Sequence, residues 1–524
     1  MVVQRLYVDE KKRFDMRTGR LTLFGIVLTA LGQAYAGERI PYPIVDTGQD
    51  HCYGENRTIP CPKTGEDYFG QDAQHDGNRP SYKDNGDGTV TDRVTGLMWV
   101  KARGEKMTWE DAASGASACK AGGYSDWRMP TVKELYSLIQ FNGRSGRTAG
   151  DSIPYLDTKF FDFAYGEGGS AIGNRLIDCQ DWSSTTYVST TMNGNPTAFG
   201  VNFADGRIKG YGKSSPGAGR GPALHYVRYV RGNPAYGKND FSDNGDGTVT
   251  DRATGLTWDQ DDSGKGMDWK AALAWVAQKN TENYKGHSDW RLPNAKELQS
   301  LVDYTRSPDT TQSAAIDPVF HCTSITNEGG ETDYPFYWTG TTHLDNGGGV
   351  YLAFGRALGY MQTPPNSGEY QLMDVHGAGA QRSDPKSGDP GNYPHGLGPQ
   401  GDVIRIHNFV RCVRGGADQL VPGDEPDDSG LYDPVTRGRQ GPPGGKSEST
   451  EEGNIGGGNG NQGSMGQGGG RKPPQAAIDA CQGHQEGDQV SFTTPRGDSL
   501  DCTCRNIQGV LAAVPNDRSG GPPQ

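Results

Sequence analysis

The chain has 524 residues and a formal net charge of −13 at pH 7, and only 33% of its residues are hydrophobic. Its 79 glycines and 32 prolines favour loop-rich domains joined by flexible segments, which excludes one large apolar core. The acidic balance, with no basic block in the sequence, also excludes nucleic acid and anionic membrane surfaces as expected partners.

The N-terminus predicts a leader and signal peptide over residues 1–36. Two arginines precede an apolar stretch, and Ala34–Ala36 supply the small residues of a cleavage site. Translation begins either at Met1 or at Met16, because the residues before Met16 match no part of such a signal. The apolar stretch of about eleven residues is too short for a retained membrane anchor. We therefore expect an exported protein, in the periplasm, at the cell surface or secreted, without integral membrane association after cleavage.

Export makes the cysteines candidates for disulfides, and all nine lie beyond the predicted cleavage site. Residues 37–82 contain Cys52 and Cys61, whose spacing predicts a small disulfide loop. No cysteine has the paired spacing of a zinc site, so a metal is not expected from this residue type.

The middle of the chain repeats one domain. DNGDGTVTD, TGLMW, DWRMPTVKEL and HYVRYVRG occur in this order in residues 83–233. DNGDGTVTD, TGLTW, DWRLPNAKEL and HNFVRCVRG follow in residues 234–416. Each copy is too long for a solenoid unit and has the size of an independent domain. The sequence therefore predicts a tandem duplication, with copy one before copy two.

Each copy predicts two short helices followed by a twisted antiparallel sheet with long loops. Thr89–Asp92 and Gly96–Val100 alternate in polarity around a turn, as the strands of a hairpin do. Thr108 is typical of a helix N-cap, and Thr131 with Glu134 has the spacing of a capping box. The predicted fold class is α+β, in two tandem domains.

The DWR-x-P segment and the later tryptophan of each copy have two interpretations. Arg128 and Glu134 either contact a charged ligand or form an ion pair beside the capped helix, and the capping spacing favours the structural role. Trp182 either supports a sugar ring or packs in the core, and the core is favoured. The predicted structural residues of both copies are Trp127, Arg128, Pro130, Glu134, Trp182, Trp290, Arg291, Pro293, Glu297 and Trp338.

The DNGDG stretch at the start of each copy resembles a calcium loop in composition but does not meet its requirements. Such a loop needs acidic residues at its first, third and fifth positions and a glutamate at its twelfth. Counted from Asp84, the later positions hold Gly86, Gly88 and Thr95, and the count from Asp243 fails in the same way. The Asn-Gly and Asp-Gly pairs instead predict a tight hairpin turn. We expect no cofactor, with calcium as the alternative.

Copy two contains an insertion, Met373 to Asp402, that copy one lacks. Its polar and charged side chains lie among glycines, the composition of a loop that either binds a ligand or is a passive solvated insertion. The candidate ligand-binding residues are Asp374, His376, Gln381, Arg382 and Asp384, with Lys386 close by in the sequence.

Further disulfides are predicted from position, although spacing does not fix their connectivity. Cys322 and Cys412 are candidates for a bridge across copy two, and Cys119 and Cys179 are candidates for a different bridge in copy one.

The residues after copy two have a different composition. Residues 417–473 are rich in glycine and proline and predict a disordered linker. Residues 474–524 form a small cysteine-bearing module, in which Cys481 with Cys504 is the preferred pair. Cys502 stays outside that pair, and its role is open.

The repeated motifs resemble a known family. DNGDGTVTD followed by TGLMW and DWRMPTVKEL resembles the C-terminal domain family of collagen-like bacterial adhesins. DWRLPNAKEL also resembles a segment of formylglycine-generating enzymes, which share the C-type-lectin-like fold. The resemblance covers roughly residues 45–416. It implies a C-type-lectin-like fold for each copy, and attachment to glycans or other surfaces.

An enzyme is not expected, because the reactive cysteine pair of the formylglycine-generating enzymes does not carry over. The last strand of copy one has Tyr229 and that of copy two has only Cys412. Two functions remain. The first is a non-enzymatic exported binding protein that presents loops to a glycan or protein ligand at the cell surface. The second is a structural or assembly subunit of an envelope complex or surface appendage. The sequence does not indicate the oligomeric state.

Overall fold

The computed structural model describes residues 41–168, 175–213, 222–344, 347–364, 367–416, 478, 480–493, 499–507 and 510–515. The predicted signal peptide, residues 1–36, and the predicted linker, residues 417–473, lie outside these ranges. The chain divides into two compact units, Met1–Pro443 and Gly444–Gln524. Among the described residues, no helix is long and apolar enough to cross a membrane.

The N-terminal segment and copy one contain nine strands and two helices among their described residues. They are β1 Cys52–Tyr53, β2 Thr58–Ile59, β3 Tyr82–Asp84, β4 Thr89–Asp92, β5 Leu97–Val100, α1 Trp109–Gly115, α2 Val132–Ser137, β6 Asp181–Thr191, β7 Asn195–Asn202, β8 Arg207–Gly212 and β9 Val230–Gly232. Short 3₁₀ turns lie at Asp72–Gln74, Ala116–Ala118 and Ala121–Gly123.

Copy two has the same order of elements and adds strands from its longer loops. Its elements are β10 Phe241–Asp243, β11 Thr248–Asp251, β12 Leu256–Asp259, α3 Trp269–Thr281, α4 Ala295–Ser300, β13 Ile325–Thr326, β14 Thr332–Asp333, β15 Phe336–His343, β16 Gly348–Ala353, β17 Leu358–Gln362, β18 Tyr370–Asp374, β19 Gln381–Asp384 and β20 Val413–Arg414. Short 3₁₀ turns lie at Tyr284–Gly286 and Pro390–Asn392. The described residues are therefore mostly sheet with few short helices, an α+β architecture.

Each copy begins with a four-stranded antiparallel sheet, β3-β4-β5-β9 in copy one and β10-β11-β12-β20 in copy two. The DNGDG stretch is the turn between the first two strands, as the sequence predicts. Asp84 Oδ1 accepts the Gly86 amide at 2.9 Å, and Asp87 Oδ1 accepts the Thr89 amide at 3.1 Å. Gly86 has a φ of 76°, a left-handed conformation that glycine adopts without strain. The carboxylates are thus used inside the turn, and Asp243 in copy two makes the same bond.

The second helix of each copy carries the predicted capping box. Thr131 and Glu134 exchange the two bonds of the box in α2, and Asn294 and Glu297 do so in α4. Each glutamate also binds the arginine of the DWR segment. Arg291 contacts both Glu297 oxygens, at 2.5 and 2.6 Å, and Arg128 contacts both Glu134 oxygens in the same way. The arginine and glutamate of each copy therefore stabilise the start of a helix.

The predicted structural tryptophans pack inside the protein. Trp127 and Trp290 are buried, and Trp182 and Trp338 have no exposed surface. The indole of Trp338 donates to the Met267 carbonyl at 2.8 Å, and that of Trp182 donates to the corresponding carbonyl in copy one at 3.1 Å. Backbone bonds also fix the prolines of the motif, since the carbonyls of Pro130 and Pro293 accept amides from β6 and β15. No face of Trp182 or Trp338 is therefore open to a sugar.

One six-stranded sheet runs through both copies, in the order β15-β16-β19-β8-β7-β6. The copies meet where Gln381 in β19 pairs with Ile208 in β8. Side chains from both copies, such as Phe199 and Val302, belong to one buried apolar cluster. The two copies are tandem in sequence but pack as one unit, although the size of each copy suggested independent domains.

A local twofold relation links the copies at helices α2 and α4. The ammonium of Lys133 on α2 donates to the Ser300 carbonyl at the end of α4, at 2.7 Å. The equivalent Lys296 on α4 donates to the Ser137 carbonyl at the end of α2, at 2.9 Å. Because each copy gives the same bond to the other, the helices are related by an approximate twofold axis.

Two of the predicted disulfides are formed. Cys52 and Cys61 close the small loop before copy one. Cys481 and Cys504 form the preferred pair in the C-terminal module. That module contains a three-stranded antiparallel sheet, β21 Gln489–Thr493, β22 Ser499–Ile507 and β23 Val510–Pro515, in which Cys502 is buried.

The two bridges predicted inside the copies are wrong. The cysteines concerned are free thiols, namely Cys119, Cys179, Cys322 and Cys412. Cys412 packs in a buried cluster with Trp290, whereas Cys322 packs against a different cluster. Cys179 is fully buried, whereas Cys119 is half-buried near the surface. The members of each pair have different surroundings, which spacing along the chain does not reveal.

Candidate functional site

The insertion of copy two places its polar residues in the joint between the copies. Gln381 is fully buried at the strand pairing that unites them. His376 Nε2 lies 3.0 Å from Asp402 Oδ1, and Arg382 binds the other Asp402 oxygen. Burial, together with the nearby Arg382 charge, holds the pKa of His376 well below its usual value, so the imidazole is neutral. The expectation that these side chains lie on an exposed loop is therefore corrected.

Asp374, the first residue of the predicted ligand-binding set, and Lys386, close to its last residue, also make internal contacts. Asp374 accepts a hydrogen bond from Tyr187 Oη of copy one at 2.9 Å, and burial raises the pKa of Asp374 to about 7. Lys386 donates to the Gly54 carbonyl at 2.8 Å, and its ammonium lies 3.9 Å from the Trp269 ring centroid. These residues hold the insertion against copy one and against the N-terminal disulfide loop. Polar residues among glycines have the same sequence pattern in a packed insertion as in a binding loop, so the sequence does not distinguish the two.

Asp384 holds a strained turn. Its Oδ2 accepts the amides of Arg405 and Ile406 at 3.1 and 3.0 Å, and the Asn408 side-chain amide at 3.1 Å. Ile406 has a φ of 60°, a left-handed conformation that a β-branched residue rarely adopts. Such a conformation costs about 1–3 kcal/mol and persists only where the surroundings fix it, often beside a functional site. Asp384 therefore fixes residues 405–408 through its hydrogen bonds to two backbone amides and to the Asn408 side chain.

Replacing Asp384 with Asn is expected to change how stability depends on pH. Burial raises the pKa of Asp384 to about 6, against about 3.9 in an unfolded chain. Between those values the folded state binds the proton more tightly, so this group lowers the wild-type free energy of unfolding as pH rises. Urea denaturation from about pH 4 to about pH 7 should show the wild type losing stability relative to Asp384→Asn.

Asp76→Asn is the matched control for this titration, because the Asp76 side chain is 88% exposed. We expect its pH profile to run parallel to that of the wild type. A wild-type profile that also runs parallel to that of Asp384→Asn would contradict the role given to the buried carboxyl.

A surface groove lies on the other side of this turn. It has a volume of about 510 Å³ and belongs to copy two alone. Strands β13 and β15 and the residues after Val403 form one wall, and the insertion residues from Pro390 to Pro394 form the other. The side chains that give the groove its chemistry are Thr326, Glu328, Phe336, Tyr360, Tyr393 and Arg405.

The charged groups of the groove neutralise each other. Arg405 binds both Glu328 oxygens, at 2.9 and 3.0 Å, and its guanidinium lies 3.9 Å from the Phe336 ring centroid. Burial raises the pKa of Glu328, but the hydrogen bonds and charge of Arg405 outweigh it, so that the pKa lies below its usual value. The groove therefore presents a fixed ion pair among aromatic and proline surfaces, without excess charge of either sign.

Aromatic rings continue from the groove along its rim. The Tyr360 ring centroid lies 6.1 Å from that of His395, and His395 stacks on Tyr370 at 3.8 Å with nearly parallel planes. Tyr370 is 42% exposed, an unusual position for a large aromatic side chain. The run GDPGNYPHG within the insertion was the sequence signal for this surface, because tyrosine and histidine stand there between prolines and glycines.

Metal chemistry has no support among the described residues. No group of three or more His, Cys, Asp or Glu side chains in the described part of the chain could hold a metal ion. The one carboxylate that lines the groove, Glu328, is already bound to Arg405.

Comparison with protein-family models gives a match to the Lcl C-terminal domain over residues 88–231 and again over residues 247–375. The two matches fall in copy one and copy two and together cover just over half of the chain. No curated protein and no solved structure matches the chain.

Proposed function

The chain belongs to the Lcl C-terminal domain family, of which it carries two tandem copies, and from this premise we propose that it is an exported, non-enzymatic protein that binds a glycan. The groove of copy two is the proposed binding site. The observation that carries the proposal is the combination of two half-buried tyrosines, Tyr360 and Tyr393, with a paired Arg405 and Glu328 in one concave surface.

The groove has the chemistry that sugars need. Sugar rings offer apolar C–H faces, which pack on aromatic side chains such as Tyr360 and Tyr393. Sugar hydroxyls need hydrogen-bonding groups at fixed positions, and Thr326 and the Glu328–Arg405 pair supply them. The neutral charge balance of the groove and the net charge of −13 favour an uncharged glycan over a sulfated one.

The proposal includes the fold and the location of the protein. Each copy is proposed to be a C-type-lectin-like domain, in which long loops on a compact sheet carry the binding site. The mature protein is proposed to act in the periplasm, at the cell surface or outside the cell. Sequencing of the mature N-terminus tests the export proposal, which expects cleavage after Ala36.

A glycan and matrix-protein screen of the mature chain, with and without a chelator, tests the proposed function. We expect saturable binding to neutral oligosaccharides that the chelator leaves unchanged, because the carboxylate of the groove is occupied by Arg405. Binding that is lost with the chelator would contradict the mode of binding. If no glycan binds in the screen and protein partners co-purify with the chain, the result would favour an assembly subunit instead.

A further inference from the structure

The N-terminal segment fills a slot formed between the two copies. The Phe141 amide donates to the Thr47 carbonyl at 2.7 Å. The Gln49 side chain bonds to both the amide and the carbonyl of Thr342 in β15, each at 2.8 Å. Lys296 donates to the Asp46 carbonyl at 2.9 Å. Residues 46–49 form a short turn, in which Gly48 has a φ of 72° and its amide donates to Asp46 Oδ1 at 2.7 Å. Copy one and copy two hold this turn together, and we call its site the filled slot.

The approximate twofold relation of the copies predicts a second slot. In this second slot, Tyr304 corresponds to Phe141, Thr186 to Thr342 and Lys133 to Lys296. Lys133 and Tyr304 line a groove of about 600 Å³, which we call the open groove. Its lining includes Lys133, Glu134, Thr185, Tyr236, Asp303 and Tyr304.

The two slots differ in what covers them. All eight residues of β15, which faces the filled slot, are buried. In the equivalent strand β6, Ser184 and Thr186 are exposed. The Phe141 amide donates to Thr47, whereas the Tyr304 amide donates to no acceptor among the described residues. Asn239 takes the bond from Lys133 that Asp46 takes from Lys296, but the Tyr304 amide has no counterpart of Thr47 among the described residues. The open groove therefore lacks the part of the turn that completes the filled slot.

We propose that the open groove binds a turn-forming polypeptide segment of a partner protein, in the way that residues 46–49 occupy the filled slot. The partner backbone accepts a hydrogen bond from the Tyr304 amide, and a glutamine side chain takes the place of Gln49 against Thr186.

The charges of the open groove restrict the partner. Three cations, Arg128, Lys133 and Lys238, are balanced by Glu134, Asp303 and Asp317. A groove with both signs of charge favours a segment without a run of like charges. The occupant of the filled slot fits this description, since residues 43–50 read PIVDTGQD. This site is separate from the glycan groove and does not depend on the proposed function.

A labelled peptide with the sequence PIVDTGQD is the probe, and fluorescence anisotropy with the full mature chain is the measurement. We expect saturable binding that weakens about tenfold or more, or by at least about 1.4 kcal/mol, in Thr186→Trp. Thr186 corresponds to Thr342, which binds Gln49 in the filled slot, and the larger indole crowds that contact. Thr190→Trp, at another exposed position of β6, should bind as the wild type does. A peptide with alanine in place of the glutamine should bind more weakly.

Two results would overturn the proposal. No saturable binding to the wild type would show that the open groove does not accept such a segment. Binding that Thr186→Trp leaves unchanged would place the peptide elsewhere, including exchange with the chain's own residues 46–49. Thermal unfolding of both tryptophan variants shows whether each is folded before its binding is compared.

Discussion

Replacing Trp338 with Ala is expected to lower the free energy of unfolding by about 3–5 kcal/mol, the cost of a large cavity in a packed core. Trp338 has no exposed surface and packs in one buried cluster with Trp269 and Tyr351. The variant also leaves the Met267 carbonyl without its indole donor. Urea denaturation followed by circular dichroism measures the loss, and Trp182→Ala should lose a similar amount in copy one.

Trp275→Ala is the matched control, because Trp275 is a partly exposed tryptophan at the edge of the same cluster. We expect it to lose much less stability than Trp338→Ala. A loss below about 1 kcal/mol for Trp338→Ala, the size of an ordinary substitution, would contradict its place in the core.

Lys296→Met is expected to cost about 2–5 kcal/mol, because two carbonyls lose their donor and each buried unsatisfied group costs about 1–3 kcal/mol. Lys296 is buried, and its ammonium donates to the carbonyls of Asp46 and Ser137, both at 2.9 Å. Burial lowers the pKa of Lys296 to about 7. The methionine fills the space of the side chain but leaves both carbonyls without a donor, and the N-terminal segment loses its anchor on α4.

The equivalent Lys133 in copy one provides the comparison. Its ammonium donates to Asn239 and Ser300, and it borders the open groove, where solvent replaces a lost bond. Lys133→Met should therefore cost less, about 1–2 kcal/mol. Equal losses in the two variants, measured in the same urea titration, would contradict the difference between the filled slot and the open groove.

Local features of the fold were predictable because short stretches of sequence determine them. The DNGDG turn depends on glycines and on carboxylates that bond within the same few residues. The capping boxes depend on Thr131 and Glu134 at a fixed spacing, with Asn294 and Glu297 as their counterparts. The duplication was evident because all these motifs recur in the same order. Each of these signals needs only a few neighbouring residues.

The shared sheet was not predictable from such signals. Gln381 and Ile208 pair across a long stretch of chain, and each strand alone is compatible with an independent domain. The same limit explains the disulfides, because Cys322 and Cys412 have suitable positions in sequence but pack in different clusters. Long-range pairing depends on how the two copies pack, and the repeat pattern does not specify that packing.

The candidate site was located only in part. The sequence predicts that the insertion of copy two either binds a ligand or is a passive solvated insertion, and four of its residues between Pro390 and Pro394 line the groove. The candidate residues within it, from Asp374 to Asp384, are polar. In the structure, their side chains form hydrogen bonds inside the joint between the copies. The groove instead uses Tyr360, Tyr393 and Arg405. Aromatic and proline residues between glycines were the better signal, because Pro390, Tyr393 and Pro394 line the groove.

The most direct test of the glycan-binding groove is a calorimetric titration of the best glycan from the screen into the wild type and Tyr393→Ala. We expect the variant to bind about tenfold more weakly or worse, because it loses an aromatic face of the site. Tyr124→Ala, which removes an exposed tyrosine from copy one, should bind as the wild type does. Equal affinity of the wild type and Tyr393→Ala would contradict the groove as the binding site.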